Sequence, residues 1–203
     1  MYIGIAGTIG AGKTEFTKAL ATKLNFEPVF EPVDENLFLK DFYHDKARWG
    51  LHSQLTFLVH KILKQRDLKE LLKHTNCIQD RLIFEDFMFA RMLHEAGFMD
   101  KRSHDLYHKV VALCAEDVYY PDLVIFLDVS PETALTRIAA RARGGENLID
   151  AGYLQTLDRE YRALVDGLER DGRPVLRLDW NKHRSLDRLL SRQTLFTIQE
   201  RLL

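Results

Sequence analysis

Eight residues near the start of the chain, Gly7-Thr8-Ile9-Gly10-Ala11-Gly12-Lys13-Thr14, have the spacing G-x-x-x-x-G-K-T. That spacing builds a phosphate cradle. The glycines at 7, 10 and 12 allow a backbone that other residues resist and let it approach a phosphate closely. The loop amides then point inward at the head of a helix, where aligned peptide dipoles favour an anion. Lys13 is spaced to reach the β- and γ-phosphates of a nucleoside triphosphate, and the Thr14 hydroxyl to ligate Mg²⁺. Such a loop serves hydrolysis, switching or transfer to an acceptor, so the chemistry turns on the other residues.

Three further groups could supply it. Glu31, in Glu31-Pro32-Val33-Asp34, can orient a hydroxyl toward the γ-phosphate and accept its proton, the one acceptor that phosphoryl transfer needs. It reads equally as a solvated acid at a strand end. Asp80-Arg81, followed by Asp86, places an acid where a Mg²⁺ partner for Thr14 is expected. Arg81 beside it can hold phosphate or steady Glu31, or it can simply pair with an acid that caps the next helix. Arg137, Arg141 and Arg143 fall within seven residues and are followed by Gly144-Gly145-Glu146. Clustered guanidiniums suit a polyphosphate through bidentate contacts, and the glycines suit a lid that excludes water. The bland alternative is a solvated basic face.

The elements needed to position these groups are legible in the periodicity. Strand-like runs at Tyr2–Ala6, Val29–Glu31, Cys77–Asp80, Leu123–Val129 and Val175–Leu178 alternate with helical patterns, the signature of a parallel α/β sheet. Pro28 argues that the second strand lies at an edge, because proline cannot donate to a central ladder. In such a sheet, ligands gather at the carboxyl ends of the strands. A helix after the glycine loop presents Phe16, Ala19, Leu20, Lys23 and Leu24 at helical spacing. Another runs from about Trp49 to Lys73, with Leu55, Val59 and Ile62 as its expected apolar stripe and Gln54 and Lys61 on one shared face. Helices follow from Phe84 to Ala96, closed by Gly97, and after Ser103 with Leu106, Val110 and Leu113 expected inward. Ser130-Pro131 opens the helix that carries the arginines, and a long helix begins near Ala151.

Composition excludes several classes. The 203 residues are most economically one domain, and the formal charge of −1 argues against a nucleic-acid binder. Cys77 and Cys114 lack metal-ligand spacing and read as small apolar residues in a reducing compartment. His104 and His108 lie one helical turn apart and read as a solvated face. No apolar run approaches the length of a membrane span, and the first residues read directly as a strand, so no secretory leader is expected. A cytoplasmic, membrane-free protein is expected.

Together these pieces resemble the deoxyribonucleoside kinase family, especially its bacterial deoxyadenosine and deoxyguanosine kinases. The resemblance runs from Tyr2 to about Asn181. It rests on the glycine loop, Glu31-Pro32-Val33, Phe42-Tyr43, Gln54, Asp80-Arg81, and the three arginines with Glu146. It implies a three-layer P-loop kinase fold with a five-stranded parallel sheet, an Arg-rich lid and a homodimer formed through helices. It also implies roles: Glu31 as base at the deoxyribose 5′-hydroxyl, Arg81 holding that hydroxyl and the phosphates, and Asp80 as acidic partner of Mg²⁺. Tyr43 and Glu146 would grip the 3′-hydroxyl, Gln54 and Asp86 would read the base, and Arg137, Arg141 and Arg143 would be the lid arginines. Two positions depart from the pattern. Leu82 stands where the family has serine, and Lys61 stands in the base pocket where arginine is frequent, offering a point charge instead of a planar fork.

The expected reaction is transfer of the γ-phosphate of ATP, with Mg²⁺, to a deoxynucleoside 5′-hydroxyl. Gln54 offers one acceptor and one donor, and ionised Asp86 favours an amino group. Deoxyadenosine is therefore preferred, with deoxycytidine and deoxyguanosine as alternatives. A nucleoside monophosphate kinase would need another positive site for the acceptor phosphate, and Glu31 would repel it. A P-loop switch would need a guanine-reading N-K-x-D segment, which Asn181-Lys182-His183-Arg184 does not supply.

Overall fold

Five short, largely apolar segments form one parallel sheet. The strands are β1 (Tyr2–Ala6), β2 (Glu27–Val29), β3 (Cys77–Asp80), β4 (Leu123–Asp128) and β5 (Val175–Asp179), in the spatial order β2-β3-β1-β4-β5. The computed structural model describes residues 1–31, 35–141, 149–182 and 190–202. Its helices are α1 (Lys13–Leu24), α2 (Leu39–His44), α3 (Lys46–Leu71), α4 (Ile83–Glu95), α5 (Lys101–Leu113), α6 (Pro131–Arg141), α7 (Ala151–Arg170) and α8 (Arg192–Glu200). Every residue of β1 is buried, as a central parallel strand covered on both faces requires. From β1 the chain runs out to the edge, returns to fill β3, and then crosses to β4 on the other side. That reversal opens a crevice at the carboxyl ends of β1 and β3.

The edge position expected from Pro28 is the one observed, but β2 begins and ends earlier than the expected Val29–Glu31. Val29 pairs with Gln79, one residue before β3 ends, so the ladder has no partner left for Glu31. Glu31 therefore leaves the sheet and turns toward cationic side chains.

Two helices also face differently from their apolar patterns. On α3, Gln54, Leu58, Lys61, Ile62, Gln65 and Leu68 are buried, whereas Val59 of the expected stripe is 52% exposed. The cause is polar pairing inside the protein: Gln65 donates to Gln79 Oε1 (2.9 Å) and accepts from the Tyr119 amide (2.8 Å). On α5, Tyr107 is the buried residue, while Leu106 and Leu113, expected inward, are exposed. Leu82 is fully buried against β1, where a Cβ on Gly4 would lie 2.1 Å from its Cδ2. Cys77 is buried, Cys114 half-buried, and both are free. Among the described residues no helix is long and apolar enough to cross a membrane.

Candidate active site

The crevice deepens into a cavity of about 470 Å³. One end is the glycine loop between β1 and α1. Gly10 holds φ +80°, and a Cβ there would lie 2.6 Å from the Ala134 carbonyl oxygen. Gly12 holds φ +85° and opens α1. The buried Lys13 donates to the carbonyls of Gly7 (2.6 Å) and Thr8 (2.9 Å). Burial, aided by the charge of Arg81, pushes its ammonium down to about 8. Gly10, Gly12, Lys13, Thr14 and Ile9 line the cavity. Gly7, Thr8 and Ala11 shape the loop behind it.

Sheet register brings Asp80 to this loop, because Ile5 of β1 sits opposite Asp80 of β3. Thr14 Oγ1 donates to Asp80 Oδ2 at 2.6 Å. The other carboxylate oxygen, Asp80 Oδ1, is buried without a hydrogen-bond partner among the described residues. A hydroxyl beside a carboxylate with a spare oxygen is a donor set suited to a hard, oxygen-seeking cation such as Mg²⁺.

Arg81 follows at φ +66°, a left-handed conformation that costs a non-glycine residue roughly 1–3 kcal/mol and concentrates at functional sites. Its amide donates to Ile5 O (3.1 Å), and its guanidinium pairs with Glu31 (2.8 Å) and Glu85 (3.5 Å). Glu85 is fully buried and accepts from the Tyr161 hydroxyl of α7 at 2.5 Å. The second oxygen of Glu31 meets Lys61 Nζ at 3.2 Å. The Glu31 side chain is 6% exposed. Burial alone would raise its pKa, but the cations of Lys61 and Arg81 hold it below the usual carboxylate range. Glu31 is thus an ionised acceptor on the cavity wall.

Helices α2, α3 and α4 bring Tyr43, Gln54, Phe57, Asp86 and Phe89 to the cavity wall, and Phe30 and Tyr153 of α7 line it with them. Gln54 Oε1 and Asp86 Oδ2 are buried without hydrogen-bond partners among the described residues. Burial, partly opposed by the charge of Lys61, pushes Asp86 up to about 7. Lys61 itself is not on the cavity wall; its ammonium lies behind Glu31, within 3.4 Å of the Leu82 carbonyl. The aromatic walls were not anticipated, although Phe57 and Phe89 follow Gln54 and Asp86 at i+3 and so share their helix faces. No local pattern marks Phe30 or Tyr153.

Arg137 reaches across the glycine loop and donates to Ala11 O (3.2 Å) and Trp180 O (2.7 Å). Arg141 lines the cavity. Arg143, the glycines at 144 and 145, and Glu146 lie outside the described residues. So do Pro32, Val33 and Asp34. At the surface, His104 and His108 meet Nε2 to Nε2 at 3.1 Å. No group of three or more potential metal ligands occurs among the described residues.

A glycine loop shaped for phosphates, aromatic walls and an ionised acid, all on one cavity, make this a P-loop phosphotransferase with room for a second substrate. A family model described as deoxynucleoside kinase matches residues 3–197. The chain is 38% identical over 181 residues to the deoxyadenosine kinase of Dictyostelium discoideum, spanning 89% of this chain and 73% of that protein. It is 35% identical over 179 residues to the deoxyadenosine/deoxycytidine kinase of Bacillus subtilis (strain 168), spanning 87% and 81% of the two chains. The structure of deoxyadenosine kinase from M. mycoides with bound dCTP superposes with a TM-score of 0.84 at 26% identity, covering 98% of this chain and 100% of that one. The chain belongs to the deoxynucleoside kinase family. Its activity is ATP-dependent phosphoryl transfer to a deoxynucleoside.

Proposed function

We propose that the chain, acting as a single domain, transfers the γ-phosphate of ATP to the 5′-hydroxyl of deoxyadenosine, with deoxycytidine and deoxyguanosine as weaker substrates. The observation that carries this reading is the pair of buried oxygens, Gln54 Oε1 and Asp86 Oδ2, on two residues of the cavity wall and without hydrogen-bond partners among the described residues. Buried acceptors left unmade cost roughly 1–3 kcal/mol each, and a nucleobase amino group satisfies them. The relatives named for deoxyadenosine support the same base.

In the reaction a bond forms between the 5′-oxygen and the γ-phosphorus while the bond to the β-phosphate bridging oxygen breaks. Glu31 accepts the hydroxyl proton. Lys13, Arg81, Arg137 and Arg141 offset the charge spreading over the transferred oxygens, with Arg143 expected to join them. Thr14 and Asp80 would hold Mg²⁺, which when bound neutralises phosphate charge. Tyr43, with Glu146, would hold the 3′-hydroxyl.

Adjoining helices α3 and α5 expose Val59, Leu63, Leu106 and Leu113. Exposed apolar side chains on two adjoining helices support a homodimer. Free cysteines suit a cytoplasmic setting. The test is an ATP-coupled phosphorylation screen over the four deoxynucleosides, their ribo-analogues and dAMP. Deoxyadenosine is expected to give the highest kcat/KM. A preference for dAMP would overturn the reading.

A further inference from the structure

Lys61 occupies a position that the family resemblance assigns to nucleobase reading, yet its ammonium serves a different group. Its side chain is only 3% exposed, and Nζ lies 3.2 Å from Glu31 Oε1. Arg81 Nε holds the other oxygen, Oε2, at 2.8 Å. The two cations come from different elements, α3 and the end of β3, and each takes one carboxylate oxygen. A carboxylate held at one oxygen can still turn about its last bond; held at both, it keeps one orientation. Lys61 Nζ also lies 3.4 Å from the Leu82 carbonyl, which fixes the ammonium to the same segment that carries Arg81.

Burying an ammonium is costly unless an acid pairs with it. The charged groups acting on this one are Glu31, Asp86, Glu85 and Arg81, with Glu31 the strongest favourable influence. Asp86, by contrast, keeps Oδ2 without a hydrogen-bond partner among the described residues. A lysine explains this division. Its compact charge makes its ion pair with Glu31, where a planar guanidinium fork could bridge two acids.

We propose that Lys61 is a positioning residue for Glu31, which leaves Asp86 open to the nucleobase. The proposal rests on the reading of Glu31 as proton acceptor. Removing the ammonium frees Glu31 to turn, so catalysis suffers while binding does not. Because Glu31 acts at the sugar, the loss is the same for every base.

Steady-state kinetics of Lys61→Met, Lys61→Arg, Glu31→Gln and the Glu31→Gln/Lys61→Met double variant test this with deoxyadenosine, deoxycytidine and deoxyguanosine. Lys61→Met is expected to lower kcat about 10- to 100-fold, equally for all three, with KM changed less than about 3-fold. Lys61→Arg is expected to recover part of the loss. The double variant is expected to turn over no more slowly than Glu31→Gln, because residues acting through one another are not additive. ATP binding and thermal melting verify that each variant folds, and Lys61→Gln is measured alongside so that misfolding of one variant does not remove the test. A base-dependent change confined to KM, or additive losses in the double variant, would overturn the proposal. Full turnover by Glu31→Gln alone would instead overturn the reading of Glu31.

Discussion

Thr14 Oγ1 donates a 2.6 Å hydrogen bond to Asp80 Oδ2, joining the first turn of α1 to the end of β3 across 66 residues. It holds the phosphate cradle to the acid expected to share its cation. Thr14→Ala removes the hydrogen bond that the Asp80 carboxylate makes among the described residues. A loss of roughly 1–3 kcal/mol is expected in urea denaturation without nucleotide. Asp80→Asn should keep most of that stability and lose Mg²⁺-dependent tightening of ATP binding, measured by calorimetry with and without the cation.

Glu31 lies on the cavity wall with both oxygens on cations. Glu31→Gln keeps the shape and removes the proposed proton acceptor. Turnover is expected to fall about 10²- to 10⁴-fold. ATP affinity, measured by fluorescence titration, should change little, because the cradle is built from other residues.

Asp86 carries a pH signature. Burial raises it to about 7, with Lys61 opposing, against an ordinary value near 4 in the unfolded chain. Between these values the native state binds a proton that the unfolded state has lost, so this group's contribution to stability falls as pH rises from about 4 to 7 and then levels. Asp86→Asn should flatten that slope and be the more stable of the two at pH 8, by roughly 1–4 kcal/mol in urea midpoints taken from pH 5 to 8. The same titration bears on the substrate. Ionised Asp86 accepts from an amino group and the protonated form donates to a carbonyl, so the kcat/KM ratio of deoxyguanosine to deoxyadenosine should rise on going from pH 8 to 6.

Gly10 allows no side chain. A Cβ would meet the Ala134 carbonyl at 2.6 Å, on a backbone at φ +80°. Gly10→Ala should lower the melting temperature and weaken ATP binding at least 10-fold, since relief of the clash moves either the loop or α6.

Val59, Leu63, Leu106 and Leu113 face outward from α3 and α5. On the proposed homodimer, Leu106→Glu with Leu113→Glu is expected to halve the mass seen by light scattering, because burying carboxylates in an apolar interface is costly.

The periodic elements and the order of the site residues were legible in the chain itself. Local spacing specifies a glycine loop between a buried strand and a helix, and alternation of strand and helix specifies a parallel sheet. Pro28 marked its edge for a purely covalent reason, the missing amide hydrogen. What local pattern does not encode is which face a helix buries when polar groups pair inside. Lys61 and Gln65 turn α3 away from its apolar stripe because Glu31 and Gln79 of β3 satisfy them, and Gln54 turns with them onto the cavity wall. The end of β2 depended on the length of its neighbour β3, and Glu31 left the sheet because no ladder partner remained. Register across β1 and β3 set Asp80 against Thr14. The destination of Lys61 was likewise a tertiary outcome. Sequence spacing put it one helical face with Gln54, but the nearest buried carboxylate took its charge, since an ammonium out of water goes to the counter-ion that best replaces its solvation.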